Sequence, residues 1–367
     1  MNRSYAALLG LLLVAVFFVN LFIYKYVFGL GLSKAGDEDF DFSHNLSQTS
    51  LRPDVLRAAI WPAVSCAGRD VELVLCVPVK RNGFDRRAAV RITWGSYGKY
   101  GGRSTEGNGT ASRNNHSSLV IQTKNGTFTP GEIILVFFIG SADSLSDENG
   151  EQKRIEREAK TYGDIFQDTY IDTYKNLTLK SISIINWISK NCPNARYAAK
   201  IDDDMYVNIP YLLSRLRDHA KKTSAAFSSP PENILRAPPP FLVGAINYGA
   251  SVIRNKKNKW YTSKEAYQDE LYPNYLSGTA YAMSGSAAPL LYEASLRIPL
   301  FWMEDIFITG MCAKVARVQL IPDAGFNFFK IKPEGCSFRT TISGHRYTIA
   351  QLKSIHKELH DPSLKCK

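Results

Sequence analysis

Short apolar runs alternating with helix-forming stretches constrain this chain more than any other feature. Residues 71–79 and 133–139, the second ended by Gly140, are near-continuous apolar segments of strand length, the pattern of strands buried on both faces. Residues 198–201 and 241–246 read as two more strands. Residues 86–94, 151–161 and 177–190 carry helical spacing, the last with Leu179, Ile182, Ile185 and Ile188 available for burial, and 349–359 reads as a final helix. Strands alternating with helices in this way predict an α/β domain, a largely parallel sheet covered by helices.

The flanking sequence differs in texture. Residues 6–23 are almost unbroken apolar sequence between Arg3 and Lys25, close to the length of a bilayer span. The run ends in Phe22, Ile23, Tyr24 and Tyr26 rather than in small residues, which favours an uncleaved signal-anchor over a cleaved signal peptide. The expected layout is a short cytoplasmic tail (1–5), a transmembrane segment (6–24), a polar stem with an acidic patch (25–70) and a lumenal catalytic domain (71–367). Within it, 101–131 is rich in Gly, Ser, Asn and Thr and reads as an exposed insertion.

A formal charge of +11 invites nucleic acid or membrane as partners. The only dense Lys/Arg stretch is 254–259, and no zinc-finger or RNP pattern accompanies it, so nucleic acid is not expected. The six cysteines include no C-x-x-C pair, which argues against a zinc ribbon or a thioredoxin motif and leaves disulfides as the natural use in a lumen, with the pairing open. Sequons at Asn45, Asn108, Asn115, Asn125 and Asn176 fit that compartment.

Chemistry concentrates in acidic residues. Lys200-Ile201-Asp202-Asp203-Asp204 runs from a strand straight into three carboxylates, and charges at the edge of a core need a partner or a metal. Asp202 and Asp204 fall on one side of an extended segment, and oxygen ligands suit Mg²⁺ or Mn²⁺ completed by substrate phosphates. The bland alternative is a solvated acidic turn or helix cap; an EF-hand lacks its Gly and terminal Glu here. Glu304-Asp305 sits among Phe301, Trp302, Met303 and Ile306, where burial raises proton affinity and makes a base, or where an acid simply caps the helix predicted at 306–313. Residues 272–281 read as a sugar-pocket lining or as a glycine-containing turn. Arg86, Arg87 and Arg91 could meet phosphate or form a solvated helix face, and His345 could ligate metal or lie on the surface.

Together these stretches resemble the beta-1,3-galactosyltransferase family, glycosyltransferase family 31, which includes beta-1,3-N-acetylglucosaminyltransferases. The matching segments are Arg87-Ala88-Ala89-Val90-Arg91-Ile92-Thr93-Trp94-Gly95, the apolar strand 135–140, and Glu158 with Tyr162-Gly163-Asp164. They continue in the family's order with 172–180, the triplet behind Lys200, 272–281, and Glu304-Asp305 followed by Gly310-Met311-Cys312. Departures are the insertion at 101–131 and apolar Ile92 at a usually polar position.

The resemblance implies a GT-A fold whose Rossmann-like half holds UDP. It implies Asp204 as chief ligand of Mn²⁺ with Asp202 and His345, and Asp202, Asp203, Lys200, Arg87 and Arg91 around the UDP-sugar. Asp305 would be the general base of an inverting transfer, most simply of galactose from UDP-galactose, to a hydroxyl of a glycan on protein or lipid. A Golgi type II membrane protein follows. The alternatives are transfer of N-acetylglucosamine or N-acetylgalactosamine, a non-catalytic lectin that retains the metal site, which the presence of Asp305 disfavours, and a metal-dependent phosphohydrolase, which would need no acceptor.

Overall fold

The computed structural model describes residues 57–98, 121–123, 126–143, 150–225 and 238–366. Its strands are β1 (Ala58–Ile60), β2 (Val71–Pro78), β3 (Ile121–Thr123), β4 (Gly126–Phe128), β5 (Glu132–Ser141), β6 (Ile165–Ile171), β7 (Tyr197–Ile201), β8 (Tyr206–Val207), β9 (Phe241–Asn247), β10 (Tyr275–Ser284), β11 (Gln319–Pro322) and β12 (Ser343–Gly344). The main helices are α1 (Phe84–Ile92), α2 (Glu151–Tyr162), α3 (Leu177–Asn191), α4 (Ile209–Ala225), α5 (Ala287–Ser295) and α6 (Ile349–Leu359).

Eight strands form one mixed sheet in the order β1-β6-β5-β2-β7-β10-β9-β11. Strands β6, β5, β2 and β7 are mutually parallel, as their apolar runs predict; every residue of β2 and β7 is buried. Strand β10 runs antiparallel between β7 and β9, and β11 lies parallel to β9. From β2 the chain winds outward to β5 and β6, then returns to place β7 on the other side of β2. This reversal of winding opens a crevice at the carboxyl ends of β2 and β7, where open α/β sheets bind ligands.

The predicted elements from 71 onward are present, with ends shifted by a few residues. The stem boundary needs correction: Ala58–Ile60 is already a sheet strand, pairing Ala58 with Asp168, and Cys66 is bonded to Cys192 beyond α3. The domain therefore begins before residue 71. A second disulfide joins Cys336 to Cys366, and Cys76 and Cys312 are buried thiols. Within the expected insertion, Ile121–Thr123 and Gly126–Phe128 pair antiparallel as β3 and β4, and Ile121 packs in the core. The segment 272–281 proves to be mostly strand β10 rather than a turn, and Ile306–Cys312 winds as a π-helix rather than an α-helix. Among the described residues no helix is long and apolar enough to cross a membrane; the expected span at 6–24, the tail and residues 25–56 of the stem lie outside them. The sequons at Asn45, Asn108, Asn115 and Asn125 lie outside them too.

Candidate active site

The triplet is built by the end of a ladder. Asp202 N donates to Thr279 O (2.9 Å) as the last bond between β7 and β10, and Met205 N then donates to Asp202 O (3.2 Å), closing a turn that carries all three carboxylates out of the sheet. The chain next forms β8, which pairs with β12 in a two-stranded clip, Tyr206 opposite Gly344. Tyr347 N donates to Asp204 O (3.0 Å), and His345, between these two contacts, is delivered to the triplet. Its Nε2 lies 3.2 Å from Asp204 Oδ1.

Asp202, Asp204 and His345 each offer a ligand atom, all within 4.8 Å of one another. His345 Nδ1 is 3.3 Å from Phe328 O. A carbonyl can only accept, so Nδ1 carries the hydrogen, which leaves Nε2 as the atom that would face a metal bound among the carboxylates, the usual orientation of a metal-binding imidazole. Two carboxylates and one imidazole fit a divalent ion such as Mn²⁺, leaving positions for phosphate oxygens or water. Burial opposes charge on both Asp204 and His345, but each outweighs it for the other: the Asp204 carboxyl is lowered and the His345 imidazole raised. Asp203 has no hydrogen-bond partner among the described residues; burial, then repulsion from Asp202 and Asp204, pushes its carboxyl up to about 6.

Lys200 joins this cluster to the second acidic pair. It is fully buried; its ammonium group donates to Asp202 Oδ1 (2.7 Å) and to Gly278 O, and forms an ion pair with Glu304 Oε1 at 3.0 Å. Lys200 is thereby a strut between the two acidic groups, at the position where the sequence analysis expects a donor-binding lysine. Ser181 Oγ holds the other Glu304 oxygen at 2.8 Å. Asp305 Oδ1 accepts from Ile306 N (2.9 Å) and Oδ2 from Gly278 N (3.3 Å). The capping alternative is thus realised, yet each oxygen keeps a second lone pair for a substrate hydroxyl. Burial raises the Asp305 carboxyl against the pull of these bonds and of Lys200. Gly278 makes the approach possible, because a Cβ there would stand 2.9 Å from Glu304 Oε1 and 3.1 Å from Asp305 Cβ.

Arg87 and Arg91 do something else than the sequence analysis expects. Both are buried. Arg87 forks onto Glu158 and also donates to the carbonyls of Lys80 and Arg81, while Arg91 pairs with Asp164 through Nε (2.7 Å) and Nη2 (2.8 Å) and with Glu158 through Nη1. These buried ion pairs fasten α1 to α2 and β6. Spacing carried the signal: positions i and i+4 share a helix face, and the acidic partners Glu158 and Asp164 stand in the same set of motifs. Arg86, about a quarter-turn away, faces the triplet instead, donates to Tyr347 O at 2.7 Å, and favours the ionised forms of Asp203 and Asp204. Lys180 completes this edge, bound to Val79 O and Asp172.

Residues 85–324 match the family model described as Galactosyltransferase, about two thirds of the sequence. The chain belongs to the galactosyltransferase family. This galactosyltransferase-family chain is 30% identical over 292 residues to mouse beta-1,3-galactosyltransferase 2, covering 78% of its own length and 58% of the relative's. Human beta-1,3-galactosyltransferase 2 is 28% identical over the same span, and mouse beta-1,3-galactosyltransferase 1 is 26% identical over 323 residues, 88% of this chain and 84% of the relative. The chain thus spans under two thirds of the type 2 relatives it matches. His345 lies beyond the matched region, but the β8–β12 clip returns it to the triplet.

Proposed function

We propose that this protein is an inverting beta-1,3-glycosyltransferase of GT-A type that moves galactose from UDP-galactose to a hydroxyl of a glycan carried by protein or lipid. In this reading it is anchored in the Golgi membrane by residues 6–24 with the catalytic domain in the lumen. The observation that carries the proposal is the coupling, through buried Lys200, of an Asp-Asp-His cluster to buried Glu304 and its half-buried neighbour Asp305. A divalent ion held by Asp202, Asp204 and His345 would offset the negative charge that grows on a departing diphosphate.

The protein's own groups do the rest. Asp305, made more basic by burial and fixed by Ile306 N and Gly278 N, takes the proton of the acceptor hydroxyl. The freed oxygen bonds to the anomeric carbon as the bond from that carbon to the diphosphate breaks, the electron pair leaving with UDP. One displacement inverts the anomeric centre and requires no covalent enzyme intermediate. Glu304, paired with the Lys200 ammonium and accepting from Ser181, holds the strut in place.

The test is transfer by the purified chain with Mn²⁺ against a panel of UDP-sugars and acceptors, beside Asp204→Ala and Asp305→Asn. Galactose should be the preferred donor sugar, and both variants should lose transfer. Undiminished transfer by both would overturn the site; preference for N-acetylglucosamine or N-acetylgalactosamine would replace the donor.

A further inference from the structure

Three segments meet beside the candidate site, two leaving the carboxyl ends of β6 and β9 and one following α5, and each carries an aromatic side chain there. Tyr174 follows β6, Trp302 precedes Glu304-Asp305, and Trp260 lies on the connection from β9 to β10. Because β10 runs antiparallel to β7, with Ala280 opposite Ile201, that connection emerges on the triplet's side. Tyr174 is 50% exposed and Trp260 47% exposed, and Trp302 is half-buried. The Tyr174 and Trp302 rings meet edge to face at 6.4 Å, and the Lys259 ammonium bridges the others, 4.0 Å from the Tyr174 ring centre and 5.8 Å from that of Trp260.

The arrangement is held in place. Arg254 braces the β9–β10 connection by donating to the carbonyls of Thr262, Ser263 and Asp269. Val252 N to Glu270 O and Tyr272 N to Ala250 O carry the hairpin outward, and Tyr272 Oη donates to Thr262 Oγ1. Thr178 Oγ1 donates to Phe301 O, fixing the backbone just before Trp302. Isolated exposed aromatics are ordinary, but three from separate segments linked in a row through Tyr174 and Lys259 beside a candidate base are not. Trp302 and Asp305 are three residues apart, so their Cα atoms are at most about 11 Å apart.

We infer that Tyr174, Trp260 and Trp302, with Lys259, form a platform for the acceptor, on which a pyranose ring beyond the one that receives the new sugar lies with its C–H face against aromatic carbon. Tyr and Trp suit this task because they present broad, stiff apolar faces with a polar edge for hydroxyls, and Lys259 adds a donor for ring or exocyclic oxygens. The inference rests on the transferase reading for the identity of the occupant.

The test uses the whole chain in detergent with Mn²⁺, the preferred UDP-sugar, and two acceptors sharing a terminal sugar: a simple monosaccharide glycoside and a trisaccharide. The trisaccharide should be the better substrate for the parent. Trp260→Ala should raise the KM for the trisaccharide about tenfold, erase its advantage and leave the KM for UDP-sugar in place, while Trp260→Tyr retains the advantage. A trisaccharide KM unchanged in both Trp260→Ala and Tyr174→Ala would overturn the platform, as would a loss shared equally by both acceptors and the donor. Tryptophan fluorescence titrated with the trisaccharide reads binding without turnover. Quenching in the parent that falls in Trp260→Phe upholds the platform even if no UDP-sugar is ever transferred, whereas quenching by detergent-lipid micelles and not by sugar would assign the surface to the membrane and sink the inference.

Discussion

Single residues decide whether the two acidic clusters can meet. Gly278→Ala would push a methyl group against Glu304 Oε1 and the Asp305 side chain, both tethered, so the base should shift while the sheet remains. The expected result is a kcat lower by about 10–100-fold with little change in thermal midpoint, read by steady-state kinetics beside a melting curve. His345→Ala should raise the Mn²⁺ concentration for half-maximal transfer by about tenfold or more, read by metal titration. At this scale the sequence was legible where a residue's type and its strand position say the same thing, as for Asp202 and Asp204. It was not legible where a choice depends on rotation about a helix: Arg86, Arg87 and Arg91 are chemically alike, and only the packing of α1 says that two are buried struts and one faces the crevice. The strut made by Lys200 was illegible for a related reason, since its partners Gly278 and Glu304 lie far along the chain.

Between elements, buried charges fasten helices to the sheet. Glu158 receives Arg87 and Arg91 together, so Glu158→Ala strands two guanidinium groups in the interior and should cost about 3–5 kcal/mol, measurable as a fall in the denaturant midpoint. A second joint lies under α4, where Asp323, just after β11, accepts from His219 (2.7 Å) and Arg215 (2.9 Å). Burial works against the Asp323 carboxylate, but His219, the Gly325 N–H and Arg215 outweigh it and bring the group down to about 2. A folded value below the unfolded one near 4 means that this joint stabilises the protein above about pH 4, and that the contribution, about 2 kcal/mol, is lost as pH falls from 4 towards 2. Asp323→Asn should therefore be less stable at pH 6 and show a flatter acid limb, as followed by urea unfolding across pH. The elements themselves were mostly readable, because apolar period and length distinguish buried strands from amphipathic helices. β1 escaped because three half-exposed residues carry no pattern until β6 is there to pair with them.

For the molecule as a whole, a disulfide between residues 126 positions apart ties the approach to β2 onto the end of α3. A cross-link closing so long a loop removes up to about 4–5 kcal/mol of freedom from the unfolded chain, so Cys66→Ser should lower the melting midpoint by several degrees, as read by calorimetry with and without reductant. The pairing was not readable beforehand, since Cys76 and Cys312 are chemically equivalent candidates until the fold buries them apart. Sheet order was likewise beyond reach of local patterns, because the position of β10 between β7 and β9 depends on which edges remain free once the parallel strands have paired.

The β8–β12 clip also sets a clock for biosynthesis. His345 follows Asp204 by 345 − 204 = 141 positions, so at about 5–20 residues per second the ribosome delivers it roughly 7 to 28 seconds later. Until then the nascent domain can complete its parallel sheet and expose its carboxylates but lacks the imidazole, and a chain released early would carry the acidic crevice without its third proposed ligand. Loading of the proposed metal would thus be a late event in maturation, coupled to closure of the segment that Cys336 and Cys366 go on to secure.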